Sequence, residues 1–160
     1  MEIQLLSAYD RAEDLRPLYR EYAELLLQTE PVFTASLAQQ NYDAELQHLQ
    51  EKYGMPGGRL YLLLVDGEAA GCVGLRKLDN QHGELKRLYV RPRYRGAQLG
   101  AYLVRRILSD AREIGYRYVR LDTLPGLTHA IALYRTLGFY EIECYYDCLI
   151  PHTLFMEIAL

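Results

Sequence analysis

One segment near the middle of the chain, VRPRYRGAQLGAYLVRRIL, restricts the fold more than any other. Pro92 removes a backbone donor and ends a strand, and Gly96 and Gly100 mark the turn that follows. Apolar residues then recur at helical spacing as far as Ile114, and Gly115 suits the end of that helix. Because a further strand, RYVRLDT, comes directly after the helix, the segment predicts a parallel crossover connection.

The sequence on either side of this unit predicts an α/β protein with a mixed sheet. The pair Asp66-Gly67 joins two strand-like runs and favours a tight hairpin, so antiparallel strands precede the parallel pair. Asp10 is a plausible N-cap of the first helix, and Pro17 limits where that helix can begin. The other predicted elements are a strand at 3–6, a helix at about 36–52, a strand in ELKRLYV, a helix at about 128–137 that ends at Gly138, and strands in FYEIE and TLFMEIA.

Length, composition and charge predict one globular domain over residues 1–160. No stretch approaches the ~18 uninterrupted apolar residues that a membrane-spanning helix needs, and the N-terminal residues do not look like a secretory signal. We therefore expect a cytoplasmic protein that does not engage a membrane. The net charge of −3 does not produce the field that general nucleic-acid binding requires.

The cysteines and histidines do not form a metal-binding pattern. Cys72, Cys144 and Cys148 contain no CxxC pair, and none of the four histidines lies at ligand spacing from another histidine or cysteine. We predict no metal and interpret the three cysteines as buried free thiols.

The glycine turn has the chemistry of an anion site. The N–H groups at a helix N-terminus attract anions, and glycines let the backbone approach a phosphate closely. Arg91, Arg93 and Arg95 add positive charge at a spacing suited to several phosphates. The alternative is a tight strand-to-helix connection with exposed arginines. A nucleotide-binding module would use the same turn, but the chain contains neither GxxxxGK[ST] nor GxGxxG.

Two motifs in the right order resemble the GNAT (GCN5-related) N-acetyltransferase superfamily, in particular small members of bacterial type. The turn resembles the superfamily's pyrophosphate-binding motif [QR]-x-x-G-x-[GA], with Arg95 and Gly100 in its end positions. About thirty residues later, AIALYRTLGFYEI resembles the closing helix and strand. The resemblance covers about residues 60–143. It departs at Gln98, which replaces the middle glycine, and at Leu127, where many members carry asparagine.

This resemblance implies a GNAT fold, a mixed central sheet flanked by helices with a V-shaped splay between two parallel strands. It further implies an acyltransferase that moves an acetyl group from acetyl-CoA to an amine by direct attack in a ternary complex. The strand backbone would pair with the pantetheine arm, the turn would hold the diphosphate, and the Leu88 N–H would polarise the thioester carbonyl. The implied cofactor-binding residues are Leu88, Tyr89, Val90, Arg95, Gly96, Ala97, Gln98, Leu99, Gly100 and Ala101.

The resemblance also supplies two candidate catalytic residues. Glu84 matches a position where some members carry a general base, although it could instead form a surface or cross-strand ion pair, with Lys86 on the same face of the strand. Tyr134 matches the tyrosine that protonates the departing thiolate, and the alternative is a core tyrosine.

The acceptor is a small-molecule or peptide amine that the sequence does not identify, and the protein could be a monomer or a homodimer. Residues 145–147 follow a predicted strand, where a loop could border the acceptor site, and His129 could reach a phosphate. The main functional alternative is a non-catalytic acyl-CoA-binding or sensing protein, which would need neither Glu84 nor Tyr134.

Overall fold

The computed structural model describes residues 1–30, 35–148, 150 and 152–160, except for the side chains of 35–40. These residues form a seven-stranded mixed sheet with helices packed against it. The strands are β1 (Ile3–Ser7), β2 (Arg59–Val65), β3 (Glu68–Lys77), β4 (His82–Val90), β5 (Tyr118–Thr123), β6 (Tyr140–Ile142) and β7 (Leu154–Ala159). The helices are α1 (Ala12–Thr29), α2 (Ala35–Gln47), α3 (Leu49–Tyr53), α4 (Leu99–Ile114) and α5 (Thr128–Leu137), and a 3-10 turn covers Pro92–Tyr94.

The predicted order of strands and helices is confirmed where local turn chemistry decides it. Asp66 and Gly67 take φ values of 50° and 82° and close the β2–β3 hairpin. Gly115 and Gly138 end α4 and α5 in the left-handed conformation, at φ 106° and 109°.

The strand order is β1-β2-β3-β4-β5-β7-β6, in which β4 and β5 are the parallel pair. Their ladder has three residue pairs, from His82 with Tyr118 to Glu84 with Arg120. Beyond Glu84 both strands continue, β4 to Val90 and β5 to Thr123, so they separate in the V-shaped splay that the resemblance implied.

Two apolar clusters cover the two faces of the sheet. Helices α4 and α5 pack through residues such as Leu103, Ile107 and Tyr134 on the face that carries Leu85 and Leu121. Helices α1, α2 and α3 pack on the opposite face of the β1–β4 half. The alternation of side chains along each strand therefore decides which residues meet α1 and which meet α4.

The N-terminal helices differ from the prediction in three details. The N-cap of α1 is Arg11 rather than Asp10, and it makes no side-chain capping bond among the described residues. Pro17 does not limit the start of α1 as expected, since it lies inside a helix that begins at Ala12. The helix predicted at about 36–52 is interrupted at His48, which separates α2 from α3. In the described part of the chain, none of the helices has the length and apolar character needed to span a bilayer.

Candidate active site

A cavity of about 560 Å³ opens where β4 and β5 separate. The start of α4, the α5 helix and the C-terminal half of α1 form its other walls. Tyr134 lines it, whereas Ala97 and Glu84 do not. The predicted cofactor-binding residues that line the cavity are Leu88, Tyr89, Val90, Arg95, Gly96, Gln98, Leu99, Gly100 and Ala101.

The N-terminus of α4 is built to receive an anion. Within the described residues, its N-cap, Gln98, makes no side-chain capping bond, and its first turn contains no acidic residue. The backbone N–H groups of this turn are therefore available to a ligand in the cavity that the turn lines. A Cβ on Gly100 would lie 3.2 Å from Leu133 Cδ2 of α5, so glycine permits the close approach of α4 and α5.

Gln98 takes φ 58° and ψ 28°, the left-handed conformation that favours glycine. The turn therefore keeps its shape without the family's middle glycine, at the cost of backbone strain at a residue with a side chain. Gly96 has φ 91°, which suits glycine alone, and an added Cβ would meet no atom within 4 Å.

The arginines near the turn are arranged differently from the prediction. Arg95 lines the cavity, with its Nε donating to the carbonyl oxygen of Val90 at 3.0 Å. Arg91 instead donates from Nη2 to Glu21 Oε2 at 2.8 Å, and Arg93 pairs with Glu68. Of the three arginines expected to serve phosphates, only Arg95 lines the cavity, whereas Arg91 and Arg93 pair with acidic residues distant in sequence.

Arg105 is a cation of the cavity wall that sequence reasoning missed. It is exposed on α4, four residues after Ala101, and residues at this spacing share one face of a helix. The sequence signal that could have identified Arg105 is its spacing of four residues from Ala101. His129 is exposed and also lines the cavity, at the N-terminal end of α5.

Tyr134 combines the two interpretations given to it from sequence. Its ring is 6% exposed and packs against Phe139, with ring centroids 5.5 Å apart, so it belongs to the core. Its side chain also lines the cavity, and among the described residues no hydrogen-bond partner contributes to the pKa of its hydroxyl. Burial, and to a smaller extent the charge of Asp122, raises the pKa of Tyr134 above its ordinary value. The hydroxyl therefore stays protonated at neutral pH and can donate.

Glu84 forms the last pair of the parallel ladder, at the base of the splay. Its side chain is 1% exposed. The carboxylate accepts hydrogen bonds from Arg76 Nε at 2.6 Å and from the Tyr145 hydroxyl at 2.5 Å. Arg76 is the residue opposite Glu84 in the β3–β4 ladder, so this contact is the cross-strand ion pair considered from sequence, with Arg76 rather than Lys86 as its main partner.

A second carboxylate, Asp122, lies on β5 across the splay and lines the cavity. The Tyr146 hydroxyl donates to Asp122 at 2.5 Å, just as Tyr145 donates to Glu84. Lys86 Nζ lies between the two carboxylates, 3.9 Å from Glu84 and 3.8 Å from Asp122. The tyrosines that follow β6 thus cap a charged cluster that joins the two separated strands. Asp122 was missed from sequence because a carboxylate at the end of a strand has no distinguishing spacing.

The C-terminal end of α1 closes one side of the cavity. Thr29 and Gly126 both line it, and a Cβ on Gly126 would lie 2.9 Å from Thr29 Cβ. Glycine at this position therefore permits α1 to approach the β5–α5 loop. Tyr22 and Leu25 of the same helix also line the cavity.

The cysteines are free thiols, but the prediction that all are buried is wrong. Cys72 is buried, Cys148 is half-buried and Cys144 is exposed. Among the residues described, no group of three or more His, Cys, Asp and Glu side chains is arranged to hold a metal ion.

Comparison with known proteins agrees with this geometry. Residues 12–139 match the model of a family described as "Acetyltransferase (GNAT) family". An uncharacterized N-acetyltransferase of Schizosaccharomyces pombe is 36% identical over 150 residues, which cover 92% of this chain and 88% of the yeast protein. The chain therefore belongs to the GNAT acetyltransferase family. It is an N-acetyltransferase that uses acetyl-CoA as the acetyl donor.

Solved structures show the same fold. The PaiA N-acetyltransferase of Thermoplasma acidophilum, in complex with coenzyme A, superposes with a TM-score of 0.80 at 18% identity, covering 100% of both chains. A GNAT-family acetyltransferase of Staphylococcus aureus has a TM-score of 0.80 at 20% identity over 99% of both chains.

Proposed function

We propose that this protein transfers the acetyl group directly to an acceptor amine while both substrates are bound, without a covalent intermediate on the protein. The observation that carries the proposal is that the uncapped start of α4 and the side chain of Tyr134 line one cavity between two separated strands. The first feature suits a diphosphate, and the second suits a leaving group that needs a proton. A protein that only binds acyl-CoA would not need the second.

In this proposal the turn from Arg95 to Ala101 holds the diphosphate of acetyl-CoA through backbone N–H groups. Arg95 and Arg105 line the same cavity and supply positive charge for the remaining phosphate oxygens. The β4 residues Leu88, Tyr89 and Val90 pair with the pantetheine arm, and the Leu88 N–H polarises the acetyl carbonyl.

The reaction needs one proton to leave nitrogen and one to reach sulfur. The amine nitrogen forms a bond to the acetyl carbonyl carbon, and the carbon–sulfur bond breaks. Tyr134 gives its hydroxyl proton to the sulfur and is then reprotonated from solvent, whereas the proton that leaves nitrogen goes to the general base. With ordinary pKa values near 8.5 for a thiol and 10 for a tyrosine, this donation is uphill by about 2 kcal/mol. The raised pKa of Tyr134 adds to that cost.

Glu84 stays the proposed general base, but it lies behind Tyr145 and outside the cavity lining. A proton from the acceptor would therefore reach Glu84 through the Tyr145 hydroxyl, which would accept one proton while donating its own. Asp122 lines the cavity directly, and we propose that it attracts the ammonium group of the acceptor.

The acceptor enters, in this proposal, between α1 and β5, where Tyr22, Leu25 and Asp122 line the cavity. These residues offer an apolar surface beside one carboxylate, which suits an amine on a small molecule or a peptide. We further propose a cytoplasmic enzyme that acts as a monomer or a homodimer.

A screen of amines with acetyl-CoA tests the function, followed through the release of free thiol. Because Cys144 is exposed and free, the enzyme must be present well below the substrate concentration, or its own thiol contributes to the signal. CoA should also raise the melting temperature, since a ligand at one hundred times its dissociation constant adds about 2.7 kcal/mol of stability. A melting temperature unchanged by millimolar CoA would contradict the proposed cofactor site.

A further inference from the structure

Strand β4 contains a bulge directly beside the residue proposed to polarise the thioester. Cys72 pairs with Tyr89 and Gly74 pairs with Lys86, so one residue of β3 lies opposite two residues of β4, Arg87 and Leu88. Arg87 has φ 59°, a left-handed conformation that is strained for a residue with a side chain. A bulge re-aims the backbone groups next to it. The direction of the Leu88 N–H therefore depends on how Arg87 is held.

The Arg87 side chain is held by a carboxylate from a different part of the chain. Its Nε donates to Glu45 Oε2 at 3.0 Å and its Nη2 donates to Glu45 Oε1 at 2.6 Å, a two-pronged contact that fixes the guanidinium plane. Glu45 belongs to α2, and the guanidinium carbon lies 4.6 Å from the centre of the Tyr42 ring on the same helix.

The backbone of the bulge has a second anchor. The Cys72 thiol donates to the carbonyl oxygen of Arg87 at 3.2 Å, from the neighbouring strand β3. Burial raises the pKa of Cys72 to about 12, so the thiol keeps its proton and remains a donor at neutral pH. The side chain and the backbone carbonyl of Arg87 are therefore both held by hydrogen bonds.

Glu45 is surrounded by donors and almost inaccessible. Its side chain is 5% exposed, and it also accepts from Lys52 Nζ at 2.7 Å and from the Tyr53 hydroxyl at 3.1 Å. The Arg87 side chain is 13% exposed. Buried ion pairs add little to stability compared with apolar residues of the same volume, since desolvation offsets the attraction. Stability alone therefore gives no reason for placing an arginine at a strained bulge.

We propose that the Arg87–Glu45 ion pair fixes the β4 bulge and so aims the Leu88 N–H at the acetyl carbonyl, which makes both side chains positioning residues for acetyl transfer. The inference rests on the proposed role of Leu88. It places part of the control of the donor site in α2, on the opposite face of the sheet from α4 and α5.

The test compares turnover with CoA binding in Glu45→Gln, which keeps the size of the side chain and removes its charge. A misplacement of about 1 Å can cost on the order of 10²-fold in rate, so we expect kcat to fall about 100-fold. The dissociation constant of CoA, which lacks the acetyl group, should change little. Arg87→Gly should also lose turnover, although glycine adopts φ 59° freely, and Arg87→Lys should recover part of the loss.

Asp110→Asn is the matched control. Asp110 is a carboxylate of α4 that lies outside the cavity lining and has a side chain 7% exposed. It accepts hydrogen bonds from Arg106 Nε at 3.2 Å and from the hydroxyl of Tyr61 on β2. It should lower the melting temperature without lowering kcat. If Glu45→Gln is not folded at the assay temperature, Arg87→Lys is measured instead. We then expect a smaller fall in kcat, again with little change in the dissociation constant of CoA.

Glu45→Gln with a kcat equal to that of Asp110→Asn would overturn the inference, as would full turnover by Arg87→Gly. In either case the enzyme is active, so the proposed function survives. A wild-type protein that transfers acetyl groups to no amine would overturn the proposed function and the inference together.

Discussion

The Tyr145 hydroxyl donates to Glu84 Oε2 at 2.5 Å and covers the carboxylate at the base of the splay. If Glu84 acts as the general base, Glu84→Gln should lower turnover most at neutral pH and regain part of it at high pH, where more of the amine is already neutral. Tyr145→Phe should produce a similar profile, because it removes the hydroxyl between the carboxylate and the acceptor.

The control for this pH profile is Glu157→Gln. Glu157 is also a largely buried carboxylate, and it is paired with Arg120 at 2.7 Å, but it does not line the cavity. Its variant should keep the wild-type profile. A wild-type profile in Glu84→Gln would remove Glu84 from the mechanism.

Tyr134→Phe should lower turnover by the 10²–10⁴-fold that is roughly typical of general acid–base groups. The ring and its packing against Phe139 are retained, and no hydrogen bond to a described residue contributes to the pKa of the hydroxyl, so the melting temperature and the CoA affinity should hardly change. Steady-state kinetics and thermal melting with CoA measure both effects.

Tyr116→Phe should behave in the opposite way to Tyr134→Phe. The Tyr116 hydroxyl donates to the Gly57 carbonyl oxygen at 2.6 Å, outside the cavity lining, so its loss should cost about 1 kcal/mol of stability and leave turnover unchanged. Wild-type turnover by Tyr134→Phe would make that tyrosine a core residue only.

Arg95→Glu should weaken CoA binding, because it places a negative charge in the wall of the proposed diphosphate site. Arg93→Glu makes the same change of net charge two residues away, at a side chain that pairs with Glu68 and does not line the cavity. Calorimetric titration with CoA should therefore separate the two variants. Equal losses in both would indicate a general field effect rather than a contact.

Gln98→Gly should preserve the turn and change stability by no more than about 1 kcal/mol, in the stabilising direction, because relief of the left-handed strain exceeds the added freedom of the unfolded chain. Gln98→Val should destabilise the protein and weaken CoA binding, since a β-branched residue fits φ 58° poorly. Chemical denaturation with and without CoA measures both. A less stable Gln98→Gly would contradict the assignment of strain to this residue.

The stability of the protein should fall below pH 4.5 partly through Glu45. Burial acts to raise the pKa of Glu45, but attraction to Arg87, the Arg87 hydrogen bond and Lys52 outweigh it and lower the pKa to about 2 from an ordinary 4.5. Between these values the unfolded chain binds the proton and the folded chain does not, so stability rises with pH there and is lost as pH falls.

The pKa change of Glu45 corresponds to about 3 kcal/mol at neutral pH. Denaturation curves of wild type and Glu45→Gln, measured from pH 7 to pH 2, should therefore converge toward the acid end. A difference between the two proteins that stays constant with pH would show that the charge of Glu45 does not titrate in this range.

Local chemistry explains which parts of the fold could be predicted from sequence. The Asp66-Gly67 hairpin and the helix ends at Gly115 and Gly138 follow from residues that tolerate positive φ, and neighbouring residues do not change that preference. The cofactor turn was recognisable for the same reason. The break between α2 and α3 at His48 is not marked by a residue that favours positive φ, so it could not be predicted in this way.

Long-range partners explain what could not be predicted. Arg91 pairs with Glu21, 70 residues earlier, instead of lining the cofactor site. Glu84 is covered by Tyr145, 61 residues later. Nothing near Arg91 or Glu84 in the sequence indicates either contact. Positions in a motif can thus be read locally, whereas the availability of a charge depends on the whole fold.

The three-pair ladder between β4 and β5 also has a mechanical consequence. It is the narrow connection between the β1 to β4 part of the sheet and the smaller part formed by β5, β7 and β6. The antiparallel β1–β2, β2–β3, β3–β4 and β5–β7 ladders are all longer than it. A ligand that contacts both β4 and β5 at the open end of the splay holds the two parts of the sheet in a fixed relative position. Hydrogen exchange along the three-pair ladder should therefore slow when CoA binds, even at amides that the ligand does not touch.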